Sequence, residues 1–271
     1  MPGKRILAHA ILRTDFNPPY LSWRFIPIWR RNFLVWRKLA IPSILGNLAD
    51  PAFYMLGLGY GLGSLLPQVG GISYMTFLAA GTLCYSTMNS ATFESLYSAF
   101  SRMHVQKTWD AMLNAPLVID DVLLGELAWA TSKSVLSGVA ILVIILALGL
   151  AHSWLLLWTL PLLVLIGFCF TGMALVMNAL SPNYDFFMYY FTLVITPMVL
   201  LCGVFYPVEQ LPSFLQMAAL WLPLTHAIEL ARPLVQGEWP QHIGIHIAVL
   251  LAYGAAGFYL ALVLVRRRLL K

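Results

Sequence analysis

The chain has 271 residues, of which 60% are hydrophobic and only 10% charged, and its mean hydropathy is +0.79. That balance excludes a soluble globular domain and identifies an integral membrane protein. The net charge of +5 and the pI near 9.2 are accounted for by an anionic membrane leaflet, so no nucleic acid is expected among the partners.

The first 38 residues are polar, basic and aromatic without an apolar core, so no cleavable signal is expected, and Ala8-His9-Ala10 only mimics a cleavage site. Within them, residues 20 to 38 carry an amphipathic pattern. Phe25, Ile26, Trp29, Phe33 and Trp36 share one arc at 100° per residue, and Arg24, Arg30, Arg31, Arg37 and Lys38 fill the next. This predicts an interfacial helix at the cytoplasmic headgroups.

Span 1 covers about 39 to 66. It contains Asp50-Pro51, and a central aspartate costs about 2.5–3.5 kcal/mol on insertion scales. The preferred reading lets residues 39 to 49 continue the interfacial segment, with Asp50 capping a span that starts near Pro51; a functional aspartate is the competing reading. Gly57/Gly61 and Gly59/Gly63 form overlapping Gly-x-x-x-Gly pairs, which predict close helix packing.

Span 2, about 73 to 97, carries Glu94. The loop from 101 to 125 is the one sizeable hydrophilic connection, and Val105, Trp109, Met112 and Leu113 lie opposite Arg102, Gln106, Lys107 and Asp110 before Pro116. The spacing predicts one short amphipathic helix there. Spans 3 to 6 fall at about 127 to 150, including Lys133, 154 to 178, 186 to 205 and 243 to 264. Cys84, Cys169 and Cys202 sit singly in apolar runs and read as small hydrophobes.

Residues 203 to 232 are apolar yet cut by Pro207, Pro212 and Pro223 into pieces too short to cross a core about 30 Å thick. They must dip in and return, which is tolerated only where protein or water covers the freed backbone groups. In the same stretch Glu229 and Arg232 are expected to pair along a helix. His226 with Glu229 makes half a metal site at best, and His242 and His246 mark the outer boundary.

Eight basic residues precede span 1 (Lys4, Arg5, Arg13, Arg24, Arg30, Arg31, Arg37, Lys38), Arg102 and Lys107 follow span 2, and Arg266, Arg267, Arg268 and Lys271 follow span 6. Fourteen of the sixteen therefore share one side, and the positive-inside rule puts both termini in the cytoplasm. No segments of alternating polarity indicate an outer-membrane barrel. The expected fold is all-α: one transmembrane domain over 1–271, with six transmembrane helices, the N-terminal interfacial helix and a re-entrant helical pair between helices 5 and 6.

No phosphate-binding Gly-x-x-x-x-Gly-Lys-Ser/Thr occurs, so any ATP is hydrolysed by another chain. With the six spans in place, Thr108-Trp-Asp-Ala-Met-Leu-Asn-Ala-Pro116, Asp121-Val-Leu-Leu-Gly125, Gly203-Val-Phe-Tyr-Pro207, Leu211-Pro212 and Pro223-Leu-Thr225 to Arg232 resemble the ABC-2 type exporter permeases from about residue 25 to the end. Within that family the similarity is strongest to permeases of lipo-chitooligosaccharide export, while related permeases carry polysaccharides, drugs or haem-pathway cargo.

The resemblance implies a homodimer working with two copies of an ABC ATPase subunit, which binds the ATP and Mg; this chain itself holds no cofactor and no metal. It implies a bacterial inner membrane location and an amphiphilic substrate, a lipo-oligosaccharide or glycolipid, met among membrane lipids. Arg102, Gln106, Asp110, Asn114 and Glu94 become the residues expected to couple to the ATPase, with Ser181 to Asp185 as a minor contact. Phe205, Tyr206, Pro207, Leu211, Pro212 and Pro223 become the outer gate, and Tyr54, Phe93, Tyr189 and Tyr190 could line the substrate path.

Two other classes compete. A membrane-embedded enzyme needs clustered polar groups, whereas Asp50, Glu94 and Lys133 are spread over three spans. An ion-gradient transporter or channel would show internal duplication or charges along several spans, and neither is visible.

Overall fold

The computed structural model describes residues 16–66 and 68–269. Lys4, Arg5, Arg13, Lys271 and the Ala8-His9-Ala10 triplet lie outside the described residues, as does the side chain of Asp50. Among the described residues the regular structure is helical apart from one two-stranded antiparallel hairpin, β1 (Gln68–Val69) and β2 (Ile72–Ser73).

Helix α1 spans Phe25–Arg37 and meets α2, Ala40–Gly61, at a bend of 85° near Lys38. The predicted amphipathic helix thus forms, but its aromatic face is spent largely on protein. Trp29 Nε1 donates to Ser132 Oγ at 3.0 Å, and Phe33 and Trp36 lie edge-on to Trp129 at 6.4 and 5.8 Å. A Cβ on Gly125 would come within 2.7 Å of Ile28, so that glycine is what lets α1 lie close to the third span. Helix α2 starts at Ala40 and runs through Pro51. The expectation that Asp50 caps a helix starting near Pro51 is therefore corrected: both residues lie inside α2.

Helix α3, Tyr74–Phe93, continues through two wide π turns, Glu94–Ser98 and Ser101–Val105. It is the most polar of the long helices and the best enclosed, with 15 of its 20 residues buried. Its hydroxyls face other helices, as in the Ser86–Ser137 contact at 3.0 Å, which spares lipid the polar groups. After α4, Thr108–Leu113, come α5, Ile119–Ala147, and α6, Thr159–Leu180, which is extended backwards by a 3₁₀ turn from Trp154. Then follow α7, Asp185–Tyr190, a π turn, α8, Thr196–Leu201, and the pair α9, Ser213–Ala219, and α10, Pro223–Gln236. Helix α11, Ile243–Leu269, closes the order.

Helical segments occupy all six expected span positions. Among the described residues three are long and apolar enough to cross a membrane alone: Ile119–Ala147, Trp154–Leu180 and Ile243–Leu269. Phe25–Arg37 with Ala40–Ser64, and Ser213–Ala219 with Pro223–Gln236, reach that measure only as bent pairs, and Asp185–Leu201 is shorter.

Helices α6 and α11 approach closely, and Cβ atoms on Gly172 or Gly257 would fall 2.5–2.6 Å from the facing glycine's backbone. The Gly57/Gly61 pair, expected to serve close packing, instead faces open space, while Gly59 meets Met75 and Gly63 only grazes Tyr74. Spacing makes close approach possible but does not supply a neighbour. Gly172→Val should therefore destabilise the protein by about 1–3 kcal/mol or more through overpacking, whereas Gly57→Ala should leave the melting temperature in detergent unchanged or slightly raised.

Candidate functional site

Two constructions stand out, one at each end of the helices. The first gathers charges near the loop after α3. The π turn at Glu94–Ser98 and the one at Ser101–Val105 turn Glu94 and Arg102 toward α5. Arg102 Nη1 donates to Glu94 Oε1 at 2.9 Å, and Nε donates to both Glu126 oxygens at 2.9 and 3.1 Å. Lys133 Nζ and Trp129 Nε1 each reach Glu94 at 2.7 Å. Two carboxylates and two cations neutralise one another in a nearly dry setting, since Glu94 and Glu126 are 3% and 1% exposed. Burial by itself would disfavour charge on Arg102, yet Glu126 and Glu94 outweigh it and hold its pKa above the ordinary value.

Helix α4 joins this cluster through Trp109, which is buried and donates to Glu126 Oε1 at 3.3 Å. The predicted single helix from Arg102 to Asn114 is corrected here. Lys107 adopts a left-handed conformation, φ 51°, and splits it into a π turn and α4. In consequence Val105, placed on the apolar face by its spacing, is 65% exposed, and Arg102 turns inward. Gln106, Lys107, Asp110 and Asn114 remain exposed around the buried tryptophan. Lys133 and Glu94, which the sequence left scattered, share an ion pair.

The minor loop lies against the same region. Tyr184 packs on Tyr97 and Phe100 at 6.1 and 4.9 Å. Arg268 donates to the carbonyls of Ala179 and Ser181 at 2.9 and 2.8 Å, and Pro182 to Asp185 are exposed. A second ion pair ties the chain ends to α5: Arg266 Nη2 meets Asp120 Oδ2 at 2.6 Å, Tyr20 N–H donates to the same oxygen at 2.7 Å, and Ser22 hydrogen-bonds Asp121. Local spacing cannot announce this ion pair, because Arg266 and Asp120 are 146 positions apart.

The second construction is the broken stretch after α8. Gly203, φ 79°, turns the chain, and Val204 packs so tightly that a Cβ on Gly81 would lie 2.5 Å from its carbonyl oxygen. Tyr74 donates to the Phe205 carbonyl at 3.0 Å. Pro207 precedes a 3₁₀ turn, and Pro212 and Pro223 precede and open α9 and α10, which meet at 85°. Tyr206, Pro207 and Leu211 are half-buried, and Pro212 is exposed. The carbonyls freed at the break are satisfied in turn: Ala219 by Thr225, Leu220 by His226 and Trp221 by Tyr253, at 2.7, 3.0 and 2.7 Å. The second arm runs on to Gln236, four residues beyond the expected limit.

Arg232 leaves Glu229 exposed. It donates instead to the Gly203 carbonyl at 2.6 Å and lies over the Phe77 ring at 3.9 Å, so the expected Glu229–Arg232 helical pair is replaced by a bolt across the turn. His226 contacts His246 through their Nδ1 atoms at 2.8 Å, not Glu229. Of the aromatic residues expected along a path, Tyr54 adjoins Phe205 at 5.9 Å, Phe93 packs on Tyr97 and Phe191, and Tyr189 is exposed. Tyr190 is only 4% exposed and belongs to the core, which its spacing did not reveal.

A family model described as ABC-2 type transporter matches residues 21–235. The chain belongs to the ABC-2 type transporter family. It is similar to Nodulation protein J of Rhizobium meliloti (strain 1021), 46% identical over 252 residues that cover 93% of this chain and 96% of that one. Nodulation protein J of Bradyrhizobium diazoefficiens is 45% identical over 253 residues, 93% and 97% of the two chains. Inner membrane transport permease YadH of Escherichia coli (strain K12) is 24% identical over 201 residues, 73% and 75%. The ABC-2 chain is thus a multi-pass membrane protein and the transmembrane subunit of an ABC exporter.

Two outcomes are expected. Arg102→Ala leaves two buried carboxylates short of a cation and should cost about 3–5 kcal/mol, read as a lower melting temperature in detergent. His104, whose pKa is lowered by burial and then by Arg268 against the opposing pull of Asp110, prefers to be neutral when folded. Its penalty is absent above the unfolded value of about 6.5 and grows as pH falls through the lower folded value. Melting temperature should therefore fall between pH 7.5 and 5.5, and His104→Gln should flatten that slope.

Proposed function

We propose that this chain is the permease of an ATP-driven exporter that moves an amphiphilic lipo-oligosaccharide or glycolipid out across a bacterial inner membrane. Two copies of the chain form a homodimer, two copies of a separate ABC ATPase bind ATP and Mg, and both chain termini face the cytoplasm. The observation that carries the reading is the two-sided loop after α3. Trp109 is buried and bonded into the Glu126–Arg102–Glu94–Lys133 cluster, while Gln106, Asp110 and Asn114 stand exposed beside it.

A push on the exposed side is passed through Trp109 to a charge cluster that bridges α3 and α5. Arg102 and Glu94, expected as contacts, act from inside as the rigid seat of that lever. Helix α3 carries the movement to the other end, where Gly81 bears on Val204 and Tyr74 on Phe205. Phe205, Tyr206 and Pro207, with Leu211, Pro212 and Pro223 in the arms behind them, then serve as the outer gate. Tyr54 beside Phe205, and Phe93 and Tyr189 nearer the other end, offer ring faces to sugars; Tyr190 serves as packing.

An apolar crevice of about 350 Å³ lined by Phe25, Leu127, Val164 and Leu251, among others, suits an acyl chain arriving from the inner leaflet. The cargo class is favoured by the similarity to Nodulation protein J.

The test is direct. Affinity-purified permease should bring down an ATPase carrying a phosphate-binding loop, and Asp110→Lys with Asn114→Ala should lower cargo-stimulated ATP hydrolysis several-fold without altering membrane insertion or melting temperature. A chain that transports alone in liposomes, or coupling unchanged in that double variant, would overturn the reading.

A further inference from the structure

Beside the second arm of the broken pair, opposite the charge cluster, lies a pocket of about 630 Å³. Its walls come from three separate connections: β2 and the start of α3, the turn from Leu150 to Trp154, and the end of α10. Gly237, φ 86°, caps α10 so closely that an added Cβ would meet Ser153 at 2.8 Å, which fixes two of the walls against each other. Ser73, Thr76, His152, Ser153 and Gln236 supply polar groups, and Trp154 supplies an aromatic face 69% exposed. No Asp, Glu, Lys or Arg is among the described lining residues.

The hydrogen-bonding state of these groups leaves work for a ligand. Ser153 Oγ already accepts from the Leu155 N–H at 3.2 Å, so its proton is available to donate. Ser73 and Thr76 share one hydrogen bond at 2.8 Å, with Ser73 also accepting from the Thr76 N–H, which leaves one hydroxyl proton between them. An amide such as that of Gln236 brings two donors and an acceptor. Neutral donors and acceptors arrayed beside one open indole face match the alternating hydroxyls and apolar ring faces of an uncharged saccharide. The lack of a cation disfavours phosphate headgroups, and the polar lining disfavours acyl chains. The volume falls within the range of small-ligand sites and has room for a short oligosaccharide.

We infer that this pocket binds the neutral sugar portion of the cargo on the far side of the gate, where α10 forms both a gate arm and a pocket wall. This rests on the proposed export of a lipo-oligosaccharide, and deepens it by locating a sugar subsite outside the gate.

The test uses the full chain in lipid nanodiscs titrated with an uncharged, water-soluble tetrasaccharide of β-linked N-acetylglucosamine, read by tryptophan fluorescence and confirmed by calorimetry. Saturable binding is expected, weakened at least about tenfold in Trp154→Ala and in Gln236→Ala. Trp23→Ala, which removes an exposed indole at the opposite end, should leave affinity unchanged, and inorganic phosphate should not compete. Because the altered side chains lie at the pocket surface, wild-type melting temperatures should certify folding. No saturable binding, equal affinity in the two pocket variants, or competition by phosphate would overturn the subsite. If ATP-driven glycolipid export persists alongside any of these results, the pocket assignment falls alone; if glycolipid is not exported while another cargo is, the proposed function itself falls.

Discussion

A helix broken in apolar surroundings exposes carbonyls that lipid cannot satisfy, and each one left bare costs several kcal/mol. The stretch after α8 is organised around this constraint. Thr225, His226 and Tyr253 close the three carbonyls at the α9–α10 bend, and Arg232 closes that of Gly203. These partners come from the second arm itself and from α11. The break therefore holds its shape only while α10 and α11 stay packed together, and the bonds that make the bend tolerable also tie it to α11.

At the other end the constraint is charge in place of backbone. Glu94, Arg102, Glu126 and Lys133 form a neutral group whose members come from the two π turns after α3 and from α5. Such a group adds little net stability over a well-packed apolar one, but removing any member is costly, so it favours one arrangement of helices over nearby alternatives. Asp120 with Arg266 does the same for α5 and α11. Between these two clamps the helices are joined by glycine contacts, hydroxyl pairs and tight packing, which transmit displacement without absorbing it.

Much of this was legible in the residues. Composition gave the membrane class, apolar runs gave the spans, and three prolines revealed that the stretch from 203 to 232 breaks. What local spacing could not show were partners far along the chain. A continuous helix puts Arg102 opposite Trp109 and hence at the surface; Glu126, which draws it inward, is 24 positions away. The left-handed residue at Lys107 carries no glycine or asparagine to announce it. Glycine pairs misled for a related reason: Gly57 and Gly61 have the spacing of a contact with nothing opposite, while Gly172 meets Gly254 and Gly257 from a helix some eighty residues on.

The π turn at Glu94–Ser98 sets a phase. A wide turn acts as one residue inserted into a helix of 3.6 residues per turn, and so rotates everything beyond it by about 100°. Eight positions apart on an unbroken helix, Glu94 and Arg102 would sit about 80° from each other; with the insertion they fall within about 20° of one line. The ion pair thus depends on the reading frame of the helix as much as on the identity of its side chains. A single deletion between Glu94 and Arg102 would swing the guanidinium by about 100° and break the pair without changing any charged residue.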